Sequence, residues 1–113
     1  MPDPGRMTHT ITVTTPVIQL PSGGQAGGEV VLDQRACEFV PLSAEERLAG
    51  GTLFATATHV AVLWWEPGVR PEMLATVPDI HDGGRERVFT LSEVTNVDEG
   101  GRDLKLVMTE RVT

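Results

Sequence analysis

Residues 8–14 alternate strictly, with His9, Ile11 and Val13 on one face and Thr8, Thr10, Thr12 and Thr14 on the other. A period of two with β-branched threonine on the polar side predicts a half-buried strand. Breakers then crowd residues 15–28, where Pro16, Pro21, Ser22, Gly23, Gly24, Gly27 and Gly28 fall. That density stops both helix and strand and predicts a long mobile loop. Apolar β-formers return over residues 29–40: first Val30, Val31 and Leu32, then Cys37 and Phe39 opposite Ala36, Glu38 and Val40. A second strand is expected there, bent near Asp33 and Gln34 and ending at Pro41.

The one clear helical signal follows. Ser43 can cap the backbone of Glu46 while Glu46 reaches back, and Ala44 to Ala49 are good helix formers. Gly50-Gly51 supplies a left-handed stop, so a helix of about two turns is expected over 43–49. An isolated helix that short is marginal in water, and Leu48 must dock for it to persist.

Residues 52–65 alternate again, placing Leu53, Ala55, Ala57, His59, Ala61, Leu63 and Trp65 against Phe54, Thr56, Thr58, Val60, Val62 and Trp64. From Val60 onward both faces are apolar, which marks a central strand or an outer face covered by another chain. Pro67-Gly68 turns the chain, and residues 73–77 and 87–94 read as two strands around a hairpin signalled by Asp82-Gly83-Gly84. A last turn at Gly100-Gly101 leads into Leu104, Leu106 and Met108, alternating with Lys105, Val107 and Thr109. About six short strands, one inserted helix, long loops and no βαβ rhythm predict an all-β fold in one domain, residues 1–113, as a small β-barrel. Closure hides strand edges that otherwise pair with neighbours.

The length of 113 residues allows about two thirds of the chain's surface to be buried, enough for a small core. Sixteen acidic against nine basic residues give a net charge of −7. Eight arginines and one lysine, spread from Arg6 to Arg111 without a cluster of three, provide no footprint for nucleic acid or an anionic membrane. No apolar run reaches eighteen residues, the first residues do not form a signal peptide, and the lone Cys37 has no disulfide partner within the chain. A soluble protein of a reducing, intracellular compartment is expected.

Candidate chemistry is sparse. Asp79, His81 and Asp82 could form a metal corner, but acids beside Gly83-Gly84 are more ordinarily a solvated hairpin tip. Asp98, Glu99 and Asp103 lack the ligand spacing of an EF-hand and read as a polar turn. His59 reads as a hydrogen-bonded structural imidazole and Cys37 as a packed thiol. No nucleophile elbow, phosphate-binding loop or CxxC pair occurs, so no enzyme, metal or cofactor is expected. Adjacent Trp64 and Trp65 must point to opposite faces of a strand. The outward ring either marks an interface or is covered by the helix or a loop.

Taken in order, several segments resemble the head-tail joining family of tailed bacteriophages, the head closure or stopper proteins, with relatives in gene transfer agents. They are Thr8-His9-Thr10-Ile11-Thr12-Val13, Phe39-Val40-Pro41-Leu42-Ser43 leading into Glu45-Glu46-Arg47, and Thr58-His59-Val60-Ala61-Val62. Pro67-Gly68-Val69 with Pro71-Glu72-Met73, Val88-Phe89-Thr90-Leu91, and Asn96-Val97-Asp98-Glu99 with Arg102-Asp103-Leu104-Lys105-Leu106 complete the series. The chain departs from the pattern at Trp64-Trp65-Glu66, where relatives carry an arginine followed by an aromatic, and in a longer hairpin over residues 77–87.

The resemblance implies a β-barrel with an inserted helix that assembles as a ring, usually of twelve, with a monomer as the possible free form. The ring lies in the virion neck, beneath portal and adaptor and above the tail terminator and tail tube, after assembly in the host cytoplasm. Its implied task is mechanical: closing the exit, retaining DNA and docking the tail. DNA passes through without sequence-specific binding, and a ring multiplies a charge that repels phosphate. By the same resemblance the channel and interface residues are Glu45, Glu46, Arg47, Gly50, Gly51, Thr52 and Phe54, to which the outward ring of the tryptophan pair adds Trp64. Residues 15–28, 50–58 and 77–87 are expected to order only against neighbours. The alternatives are another neck component, an adaptor or tail terminator, or a barrel that binds a small ligand in a deep apolar pocket.

Overall fold

A computed structural model of the protein describes residues 7–42, 57–79 and 83–111. The predicted helix over 43–49 lies outside these residues. The described residues form eight strands: β1 (His9–Thr14), β2 (Ile18–Gln19), β3 (Gln25–Ala26), β4 (Val30–Pro41), β5 (His59–Trp64), β6 (Leu74–Asp79), β7 (Arg85–Asn96) and β8 (Asp103–Glu110). Six of them close an antiparallel barrel in the order β1-β4-β5-β8-β7-β6, with β6 returning to pair with β1. The expected all-β barrel of about six strands is therefore observed. A six-stranded cylinder is narrow, and side chains fill it.

The period of two in the sequence becomes inside against outside. Ile11, Val13, Ala61, Leu63, Ala75, Val77, Leu104, Leu106 and Met108 are buried in one interior cluster with Phe89. Two departures from strict alternation have a mechanical cause. Leu32 and Cys37 both face inward although five residues apart, which a regular strand forbids. A bulge makes up the odd residue: Ile11 pairs with Arg35 but Val13 with Leu32, and Gln34 takes φ 45° with its N–H bonded to Thr12 Oγ1 at 3.2 Å. On β7, Leu91 pairs with Met108 and Glu93 with Val107, leaving Ser92 as the extra residue and turning Val94 toward the core.

Four expectations change. Residues 15–28 are not a plain loop: β2 and β3 pair there, with Ile18 opposite Ala26 and Gln19 opposite Gln25. Thr14 is opposite Val30, so the small ladder continues the β1–β4 register beyond the barrel. Thr15 N–H donates to Glu29 O and Gly28 N–H to Thr15 O. Breakers weaken a strand but do not forbid it where an adjoining ladder fixes the register. Second, the hairpin expected around Asp82-Gly83-Gly84 is present, but its strands run closer to the turn than residues 77 and 87: Pro78 pairs with Glu86 and Asp79 with Arg85. Third, β5 begins at His59, and Ala57 joins Leu42, Val60 and Val107 in a small separate cluster instead of the interior. Fourth, neither tryptophan is inward: Trp64 is 43% and Trp65 36% exposed. Trp65 has the inward parity of Ala61 and Leu63, but it lies past the last core layer, where its backbone N–H donates to Arg102 O in the β7–β8 turn. The inner face of β5, Ala61 and Leu63, is buried, while Val60 and Val62 on its outer face are half-buried and Trp64 is exposed.

Candidate functional site

The antiparallel order gives the barrel two unlike ends. At one end lie His9, Pro41, His59, Asp79, Arg85 and Glu110, and from it the β4–β5 connection leaves at Leu42 and returns at Ala57. This mouth is stoppered by rings. Phe39 stacks on His59 at 4.9 Å between centroids and 6° between planes, and Phe89 meets both edge-on at 5.4 and 5.2 Å. His9 closes on the other side of Phe39 at 5.1 Å.

Arg87 caps the stack, its guanidinium carbon 5.7 Å from the Phe39 centroid and 5.5 Å from that of Phe89. It grips Glu110 through two hydrogen bonds and donates to His59 Nε2 at 3.4 Å. Because arginine only donates, His59 Nε2 is the acceptor, which leaves Nδ1–H to donate to Thr58 Oγ1 at 2.9 Å. The Arg87 bonds hold the Glu110 carboxyl below the usual carboxylate range, and Glu110 raises Arg87 in return. His59 is thus a hydrogen-bonded imidazole in a packed end, as its place among Ala57 and Ala61 predicts.

At the opposite end the β2–β3 arm projects, and most of the exposed large apolar side chains of the described residues lie there: Val17, Ile18, Leu20, Val30, Trp64 and Trp65, with Val40 at the ring-stoppered end. The β4–β5 ladder stops at Glu38 opposite Val62. Beyond that pair the strands part, and a shallow cleft of about 110 Å³ opens, lined by Arg35, Ala36, Leu63, Trp64 and Glu66. Arg35 spans it, donating Nε–H to Glu66 Oε1 at 3.2 Å and Nη1–H to Asp33 O at 2.9 Å. Farther along, Gly68 packs near Val31, so the β4 edge left open toward this cleft is residues 33–36, all exposed.

Of the sequence-derived candidates, Glu45, Glu46, Arg47, Gly50, Gly51, Thr52 and Phe54 lie outside the described residues. The roots of their segment, Leu42 and Ala57, are pinned at the ring-stoppered end, where Leu42 N–H donates to Thr58 O and Thr58 N–H to Met108 O. Trp64 lies at the other end of β5, about 20 Å away at strand rise. Trp64 and the two described roots of that segment therefore lie at opposite ends of the barrel. The sequence reading missed the Arg87–Glu110 pair and the open edge at residues 33–36. Nothing local announces the first, since its partners are 23 residues apart; Asp33 and Gln34 had signalled a bend, which is the cause of the second.

Cys37 is fully buried and its thiol is pushed up to about 12 by burial, which suppresses the reactive thiolate. Among the described residues no group of three or more His, Cys, Asp or Glu side chains is placed to hold a metal ion, and no helix is long and apolar enough to cross a membrane. The apolar interior is filled by the side chains of the core cluster. A larger surface groove of about 280 Å³ is walled by Thr10, Thr12, Gln34, Thr76, Pro78 and Glu86, a polar lining rather than the deep apolar pocket a ligand-binding barrel needs.

A search of curated proteins finds no match to the chain. The family model for phage head completion proteins matches residues 2–111, nearly the whole sequence. The chain belongs to the phage head completion protein family, in agreement with the resemblance carried by its ordered segments.

Proposed function

From membership of the phage head completion family, we propose that the chain is a head closure, or stopper, protein: a structural ring component of the virion neck that makes and breaks no bond. The family match over residues 2–111 carries this reading. In it, twelve copies surround the DNA exit, with adaptor and portal on one side and the tail terminator and tail tube on the other. The segment holding Glu45, Glu46, Arg47, Gly50, Gly51, Thr52 and Phe54 closes the channel, and Trp64 contributes to an interface between subunits. Assembly takes place in the host cytoplasm.

Three properties support the proposal. A filled barrel is a rigid block, suited to repetition about an axis. A charge of −7 on each copy repels the phosphates of passing DNA. The β4–β5 connection is rooted on two sides, by the Leu42–Ala57–Val107 cluster and by the ladder to β8, so force on it passes into the barrel wall. Electron cryo-microscopy of virions tests the reading: a ring of these barrels at the DNA exit is expected, and placement of the chain in the capsid shell or tail tip would overturn it.

A further inference from the structure

The geometry points to an arm-in-cleft contact between copies of this chain: the β2–β3 arm of one subunit, led by Ile18, lies in the β4–β5 cleft beside Trp64 of the next. The inference rests on the ring reading and specifies the contact that builds the ring.

The arm is an unusual surface for this protein. Residues 15–28 hold no ionisable side chain in a chain of net charge −7. Val17, Ile18 and Leu20 are 52, 58 and 41% exposed, so the arm does not fold back on its own barrel. It is nevertheless held in a defined direction, because its register continues that of β1 and β4. Eight residues from Thr14 to the tip extend about 26 Å at strand rise, far enough to cross onto a neighbour.

The cleft complements it. Its floor is apolar, formed by Leu63, Ala36 and Trp64, and its one cation and one anion, Arg35 and Glu66, neutralise each other across the gap. Two copies that repel through net charge meet best where both faces are electrically neutral. Arm and cleft are different surfaces of one chain, so the contact is head-to-tail, the type that closes into a ring when the rotation permits.

Disulfide trapping in virions tests the contact, using Ile18→Cys combined with Glu66→Cys; the buried Cys37 stays in place as an inert thiol. Oxidation is expected to convert the double variant into a ladder of dimers, trimers and higher multimers of this chain, while either single variant, which has no thiol opposite its own in the contact, stays monomer. Double-variant virions that retain the ring by microscopy but yield only monomer, or a cross-link to a different virion protein, would overturn the contact and leave the neck reading standing. Wild-type virions without a ring would overturn both. A second variant, Ile18→Asp, should keep the wild-type melting temperature yet enter virions roughly tenfold less, as for loss of an interface anchor. Wild-type incorporation of this variant would also refute the contact.

Discussion

Arg87 and Glu110, on neighbouring strands, meet through two charge-assisted hydrogen bonds, Nε to Oε2 at 2.8 Å and Nη2 to Oε1 at 2.7 Å. Register explains the geometry. Glu110 is opposite Phe89 in the β7–β8 ladder, which makes Arg87 its diagonal neighbour on the same face. The pair closes the rim of the barrel over the Phe39–His59–Phe89 stack.

Glu110→Gln should therefore cost about 1 kcal/mol, the scale of a partly exposed bidentate pair. Because the folded state depresses the Glu110 pKa, its contribution is complete above the unfolded carboxyl value of about 4.3 and fades as pH falls through the lower folded value. Urea unfolding from pH 7 down to pH 2 should show wild type and variant converging in acid; a difference that does not change with pH would contradict the ion-pair account.

Cys37 offers a kinetic prediction. With its thiol at 0% exposure, labelling by a maleimide or an aromatic disulfide should be at least about a hundredfold slower in the native protein than in denaturant. The raised pKa also sets a pH effect: stability is unaffected below the unfolded thiol value of about 8.5 and declines as pH rises from there toward about 12. Rapid native labelling would show that β4 opens at its bulge.

Gly27 and Gly23 distinguish strain from mere glycine preference within the arm. Both take positive φ, but a Cβ at Gly27 would overlap the Pro16 carbonyl oxygen, whereas one at Gly23 meets nothing within 4 Å. Gly23→Ala should cost about 1–2 kcal/mol of local strain. Gly27→Ala should do more and free the Gly28 amide from Thr15 O. Amide exchange is the readout: Gly28 is expected to lose protection only in the Gly27 variant, with β5 and β8 amides unchanged.

Phe89 and Trp64 should separate stability from assembly. Phe89→Ala removes the largest buried side chain of the barrel and should cost about 3–5 kcal/mol. Trp64→Ala, at 43% exposure, should change stability by less than about 1 kcal/mol while reducing incorporation into virions. Equal effects of both on melting temperature would mean that Trp64 is a core residue after all.

Much of the barrel was legible because its wall has only an inside and an outside. The alternations around Ile11, Ala61 and Leu104 are direct images of that geometry, and the expected bend at Asp33 and Gln34 is the bulge that brings Leu32 and Cys37 to the same face. What one strand at a time cannot reveal is who its neighbours are. Closure of β6 on β1 joins Thr12 to Thr76, and the ring stack joins His9, Phe39, His59 and Phe89 from four strands. Val107 has outward parity and was expected on the polar side, yet Leu42 and Ala57 cover it. Trp65 shows the converse: parity points it inward, but the core ends one layer earlier. Trp64 was legible from its adjacency to Trp65, whereas the other channel and interface candidates came from resemblance, and the described roots of their segment lie at the opposite barrel end from Trp64.

The most direct test of a closing and joining role is to purify particles assembled without this chain and measure DNA retention and tail attachment together. Heads that package DNA, release it to nuclease and carry no tails are the expected result. Stable, tailed particles with protected DNA would contradict the account.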